Sequence, residues 1–416
     1  MAPSTSLDLF DDAHLRDPYP AYAALREMGP AVRLIKQDVW AIPRYAHVHA
    51  VLHDSKHFVS ENGVALTDLA NREILAGTVL ASDGDQHVRL RRVLSKQLSL
   101  RSIKHLEQQT RARADQLVDE HTRTGTPDAA ALARHMVSDT VMGLMGLPEE
   151  VRPRLIGSAA ATFDVFGPEG HRYQQALPAA SAMVAFLHEN VTRDTVAEDS
   201  WMGAVFRAVD AGDIQESDAI PLASAYTAAA IDTTILGLTE TIRQLAQHPK
   251  QWAMLRQDPT LALAENAFHE ALRREAPIQG FGRLTAERIQ LGGTWIEAGE
   301  QVWLLYGSTG RDTDKWGVAA DTFNIRRPNA SQHLAFGSGR HLCAGIPLAL
   351  MQARALLGAL ASRCTHLGPA GEPNRVLNNL LRGWWRVPIT AQVTEPSPRS
   401  GQAHPAAATS RPEQPS

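Results

Sequence analysis

A chain of 416 residues that is 44% hydrophobic and 21% charged can bury a large core, and its length alone favours two or three domains. A net charge of −4 and a pI near 6.5 argue against a nucleic-acid partner, while two cysteines exclude a disulfide framework or a cysteine-rich zinc or iron–sulfur site. Residues 1–10 hold no basic segment leading into an apolar run, so neither a signal peptide nor a membrane anchor is expected, and the protein is expected in the cytoplasm. Residues 18–27 read as a first helix stopped by Gly29-Pro30, and residues 31–34 and 39–42 as a small hairpin around a polar turn. One helix over residues 87–104, beginning after Asp85, carries Arg89, Arg91, Arg92, Lys96, Arg101 and Lys104 and no acid. Helical periodicity continues in residues 105–122, 128–145 and 179–193, followed by a long apolar helix over 217–247. Short β-like runs return at 292–303, and residues 311–335 are irregular. A final helix lines up Ile346, Leu350, Ala353, Leu357 and Leu360, with Pro347 tolerated in its first turn. Residues 392–416 are rich in Pro, Ser and Ala and read as a disordered tail.

Just before that final helix lies Phe336-Gly337-Ser338-Gly339-Arg340-His341-Leu342-Cys343-Ala344-Gly345. A cysteine where a glycine-rich loop feeds a helix meets the free N–H groups of the first turn and the positive end of the helix dipole, which favour a thiolate able to bind metal. Glycines clear side chains where a flat macrocycle approaches the backbone, and His341 is placed to donate to a haem propionate. Cys364, the other cysteine, reads as a small buried core residue. The loop resembles the haem-binding loop of the cytochrome P450 superfamily, FGxGxHxCxG, at every fixed position. That resemblance implies a mainly α, single-domain fold with small β-sheets over residues 1–391, built around a buried haem b whose iron is ligated by Cys343, with Phe336 and Gly337 against the cofactor.

Ala229-Ala230-Ile231-Asp232-Thr233-Thr234 sets small residues, an acid and a hydroxyl in the middle of the long apolar helix. A buried acid is costly without a use or a partner. A threonine hydroxyl there can bond the carbonyl one turn back and open a local bulge. The resemblance makes this the oxygen-activating helix, Asp232 and Thr233 delivering protons, with Ala230 in place of the usual glycine. Glu270-Ala271-Leu272-Arg273 puts opposite charges at i and i+3. It matches the family's structural Glu–Arg pair, completed here by Arg327 or, less well placed, Arg326. His87, Arg91, Arg283 and His341 match the family's propionate-binding positions.

A thiolate ligand favours O–O cleavage. With the acid–alcohol pair in place the expected activity is that of a monooxygenase supplied with electrons by an external ferredoxin or flavodoxin and its NAD(P)H reductase, docked on the basic 87–104 helix. A haem-thiolate peroxygenase and a non-catalytic haem sensor or carrier are the alternatives. Segments 17–20, 44–52, 163–168 and 378–383 are similar to bacterial enzymes that O-demethylate para-methoxybenzoates. In that comparison Phe163, Phe166, Ala225, Ala228, Ala229, Ile278 and Phe281 line the pocket, the phenylalanines and Ile278 forming a flat slot for one aromatic ring beside a lid loop at 167–170. The polar end departs from the subfamily: Asn62 and Ser224 replace arginines, and Ala225 and Ala228 replace serines, while Thr67 keeps a hydroxyl. A carboxylate site would have to be rebuilt from Ser224, Thr67, Asn62 or Arg72. A small neutral aromatic such as a methoxyphenol, hydroxylated or O-demethylated, is therefore the expected substrate, and a para-substituted benzoate the alternative.

Overall fold

The computed structural model describes residues 2–123, 125–151, 159–258 and 260–393. The tail expected from residue 392 lies outside these residues except for Gln392 and Val393, which end the strand Ile389–Val393.

The helix Ala219–Gln247 runs through the middle of the molecule. It packs along Ala129–Met145 and against Ala262–Arg274, and the shorter helix Ala159–Val165 crosses it. Leu222, Ile231, Leu238, Ile242 and Leu245 of the central helix are fully buried, so its register is set by apolar contact. This is the one described helix long and apolar enough to cross a membrane, yet over half of it is buried inside the fold. Asp128 caps Ala129–Met145 by accepting the Ala130 N–H, as a short side-chain oxygen at that position does.

At one edge stands a six-stranded mixed sheet, in the order Ser4–Thr5, Val32–Leu34, Val39–Ile42, Gln301–Leu304, Phe281–Thr285 and Phe58–Val59. The hairpin expected at 31–42 forms its second and third strands. Three two-stranded sheets complete the β content among the described residues.

Two helices differ from their expected spans. The basic helix ends at Leu98, where Ser99 turns to an extended conformation and its hydroxyl caps the short helix Leu100–Ile103 through the Ser102 N–H. Arg101 and Lys104 therefore belong to separate turns. The helix expected at 179–193 starts earlier, at His171, and ends at Asn190; Pro178 sits inside it without stopping it.

Candidate active site

The loop before the final helix Ile346–Arg363 closes on itself, the Cys343 N–H donating to Phe336 O at 2.9 Å. Gly337 and Gly339 have φ of +69° and +65°, a region side-chain-bearing residues avoid, and a Cβ on Gly339 would meet Leu52 O at 2.3 Å. Cys343 is exposed, whereas Cys364, beyond the far end of the same helix, is wholly buried. The surrounding protein withdraws enough water to push the Cys343 thiol up, against the pull of the Gly345 N–H, Arg91 and the Ile346 N–H. The helix start alone does not offset that desolvation, and a bound cation would take the sulfur as thiolate.

Above the loop the four expected propionate partners come together. The His87 ring lies 4.4 Å from that of His341, Arg91 donates to Leu342 O, and Arg283, in the strand Phe281–Thr285, is close enough to depress His341. His341 Nε2 faces Ser60 Oγ at 3.1 Å and Asp83 at 3.7 Å. His87 is buried, yet neither ring nitrogen has a hydrogen-bond partner, and burial, with His341, Arg91 and Arg340, pushes it down to about 4. Five basic side chains thus face one carboxylate, Asp83. A dianion with two separate acceptors fits this arrangement, as the propionates of a haem would.

In the central helix Ala225, Ala229 and Thr233 fall at successive i+4 positions, and Ala229 is exposed although it sits in the middle of the molecule. Thr233 Oγ1 donates to Ala229 O at 2.7 Å, the bond expected, but the helix stays α throughout and no bulge opens. The Asp232 carboxyl is pushed up to about 7 by burial, opposed by Arg134, and its Oδ2 has no hydrogen-bond partner.

Phe163, Phe166 and Ile278 share one apolar cluster, with Phe281 packed against it. The two phenylalanine rings meet edge to face at 5.8 Å, and Phe281 meets Tyr306 at 6.2 Å. Ala228 is buried in a small cluster with Ala159 and Met183. None of the residues from which a carboxylate site would be rebuilt forms a cationic end to this cluster. Arg72 is exposed and paired with exposed Asp68, Asn62 is exposed, and Thr67 Oγ1 is engaged with Val165 O at 3.4 Å.

Glu270 and Arg273 form a bidentate pair at 2.7 and 3.0 Å with both side chains fully buried, and Arg327 Nε reaches both Glu270 oxygens at 3.1 Å. Arg326 stays exposed. Removing the acid would strand two guanidinium groups, so Glu270→Ala should lower unfolding free energy by about 3–5 kcal/mol. Arg326→Ala should change it by under about 0.5 kcal/mol in the same urea titration.

Two contacts were not expected from the sequence. His333 Nδ1 accepts the Ala335 N–H at 3.1 Å, so its Nε2 carries the proton toward His269 Nδ1 at 3.2 Å, and this buried neutral pair packs on the Phe336 ring beneath the loop. Asp164, between the two slot phenylalanines, bonds Asn378 and Asn379.

The sequence profile of the family Cytochrome P450 matches residues 213–389. The protein named cytochrome P450 CYP199A2, of Rhodopseudomonas palustris, is 36% identical over 391 residues, covering 93% of this chain and 94% of its own. This chain belongs to the cytochrome P450 family. The P450 monooxygenase PikC of Streptomyces venezuelae is 31% identical over 90% of this chain and 91% of its own. The solved structure of epothilone B-bound cytochrome P450epoK shares the fold, with a TM-score of 0.82 at 22% identity over 94% of this chain and 100% of that one. As a P450 the chain is a haem-thiolate monooxygenase, dependent on dioxygen and a source of electrons, and its fold is the mainly α, single-domain one that the motifs implied.

Proposed function

We propose that this P450 hydroxylates or O-demethylates a small, neutral methoxylated or alkyl-substituted aromatic, a methoxyphenol being the type. The observation that carries the reading is the apolar cluster of Phe163, Phe166, Ile278 and Phe281, beside which Arg72, the one cation among the residues from which a carboxylate site would be rebuilt, is exposed and paired with Asp68. A buried benzoate would lose its hydration without a partner, at a cost of several kcal/mol. A neutral ring avoids that cost.

When bound, haem supplies dioxygen activation: two electrons and two protons reduce O2, one oxygen atom enters a C–H bond of the substrate and the other leaves as water. Cys343 Sγ would hold the iron, while His87, Arg91, Arg283 and His341 would hold the propionates. Phe163 and Phe166 orient the ring and exclude water from the space that Ala225 and Ala229 leave open. The Asp232 carboxyl gains and releases a proton close to neutral pH, and the Thr233 hydroxyl passes one on when its bond to Ala229 O switches. Retention of this pair favours the monooxygenase cycle over peroxide-driven oxidation. Oxidation of an aryl methyl ether at its methyl yields a hemiacetal that releases formaldehyde and a phenol.

Titration of the ferric holoenzyme, read by the high-spin shift of its spectrum, tests the substrate class. Guaiacol or 4-methoxytoluene should bind at least about tenfold more tightly than para-methoxybenzoate, from the desolvation cost of the carboxylate. Tighter binding and a larger shift with para-methoxybenzoate would overturn the preference.

Electrons are proposed to arrive from a cytoplasmic acidic ferredoxin or flavodoxin, reduced by its NAD(P)H reductase. Arg92, Lys96, Arg101 and Lys104 are exposed, and Arg91, on the same helix as the first two, reaches the thiolate loop, whereas Arg89 lies 3.9 Å from Asp218. Charge reversal at Arg92 and Lys96 should slow reduction by an acidic ferredoxin about tenfold at low salt, and less as salt rises, with substrate binding unchanged. Stopped-flow reduction under carbon monoxide reads this directly, and rates indifferent to both reversal and salt would move the docking site elsewhere.

A further inference from the structure

The helix Ala159–Val165 carries Phe163 in its last turn and Phe166 just past its end, and that end is tied to a turn more than 200 residues away. Asp164 Oδ1 accepts the Asn379 N–H at 2.7 Å and Oδ2 accepts Asn378 Nδ2 at 2.7 Å. Asn379 Nδ2 returns a bond to Asp164 O at 2.8 Å, and Asn378 Nδ2 also reaches Ala160 O at 3.0 Å. These donors are held in place before the helix meets them. Asn378 Oδ1 accepts the Leu380 and Leu381 N–H groups, both leucines are buried, Gln279 N donates to Leu380 O, and Leu381 bridges to Ile278. The turn is thus fixed against the Ile278–Gln279 segment. Where the chain leaves the helix, Gly167 passes so close that a Cβ there would stand 2.4 Å from Asn379 Cβ.

On its other side the same stretch is held more lightly, by the Leu66 N–H on Phe166 O at 2.9 Å and the long Thr67 contact to Val165 O. Among these contacts Asp164 alone supplies a carboxylate, and when it is ionised its bonds are charge-assisted. Burial pushes this carboxyl up to about 7 in spite of its amide donors, a cost an apolar residue at this surface of the helix would avoid.

We propose that Asp164 is the latch of the aromatic slot: by clamping the end of the Phe163–Phe166 segment to the 378–379 turn it sets how fast a ring enters and leaves. It is a positioning residue, acting through the two phenylalanines. Opening requires the helix end to part from Asn378 and Asn379, and the 167–170 loop moves with it. The inference rests on the aromatic-slot reading above, so its test uses a ligand that does not depend on knowing the substrate.

The probe is 4-phenylimidazole, whose nitrogen binds ferric haem and whose ring must occupy the slot, followed by stopped-flow spectroscopy on the holoenzyme. In Asp164→Ala both association and release should rise at least about a hundredfold, as loss of two charge-assisted hydrogen bonds from the closed state predicts, with the dissociation constant changed much less. Asp164→Asn keeps one acceptor for the Asn379 N–H but turns an amide NH2 toward Asn378 Nδ2, and should fall between the two. A general loss of structure would instead shift the Soret band of the reduced carbon monoxide complex, which should stay in place. Should Asp164→Ala fail to fold, Asn379→Ala removes the returned bond to Asp164 O and should raise both rates in the same direction by about threefold. Rates within about twofold of the parent in every folded variant would overturn the latch. If the parent enzyme does not bind 4-phenylimidazole at all, the slot itself is refuted, a result distinct from unchanged rates.

Discussion

Replacing Cys343 with serine is expected to abolish the red-shifted Soret band of the reduced carbon monoxide complex completely, while Cys364→Ala leaves it intact. The band reports a thiolate on the haem iron, and only one of the two sulfurs is open to a ligand. Cys343 is exposed and has the Gly345 and Ile346 N–H groups directed at it, whereas Cys364 has no accessible surface and its thiol is pushed up to about 11 by burial. A serine hydroxyl keeps the size of the thiol but not its softness or acidity, so it cannot donate charge to the iron in the same way. Cys364→Ala removes a buried sulfur from the apolar core and should cost about 1–2 kcal/mol of stability without touching the spectrum. Difference spectra of the two dithionite-reduced variants decide between them, and the reverse pattern would sink the assignment.

What could be read in advance is what the chain keeps local. The thiolate loop packs its glycines, histidine and cysteine into ten consecutive residues, so its chemistry is visible without knowing its surroundings. The Asp232-Thr233 pair and Glu270-Arg273 pair are legible for the same reason, each lying within one helical turn. Long helices such as Ala129–Met145 announce themselves by periodicity and by the capping Asp128. The rest depends on partners far apart in sequence. The six-stranded sheet joins Val39–Ile42 to Gln301–Leu304, and no local pattern encodes that pairing. Arg327 closes on Glu270 from an irregular segment, a placement that only the family resemblance suggested. The break at Ser99 is a single extended residue in a strongly helical stretch, where a side-chain cap competes with helix continuation. His269 and His333, or Asp164 and Asn379, look like ordinary polar residues until the fold turns them toward each other.

Asp232→Asn should lower turnover about a hundredfold or more, within the range that a positioned general acid or base contributes. An amide of the same size cannot gain and lose a proton, and this carboxyl is the one on the central helix poised to do so, with burial lifting it to about 7 and Oδ2 unpartnered. The parent enzyme should show an inflection in its pH–rate profile near neutrality that the variant lacks. Thr233→Ala should behave differently, still consuming reduced nicotinamide but diverting it to peroxide or water, because the residue orders proton delivery without titrating. Stability separates this catalytic loss from misfolding. A carboxyl whose folded pKa is raised binds more protons folded than unfolded between its unfolded value and about 7, so its burial increasingly weakens the fold as pH rises through that window and the full cost is present above it. Asp232→Asn removes that cost. Its melting temperature should therefore exceed the parent's at pH 8, and the difference should shrink steadily as pH falls toward 4. A variant equally slow but less stable than the parent at pH 8 would show that Asp232 serves the fold and not the proton supply.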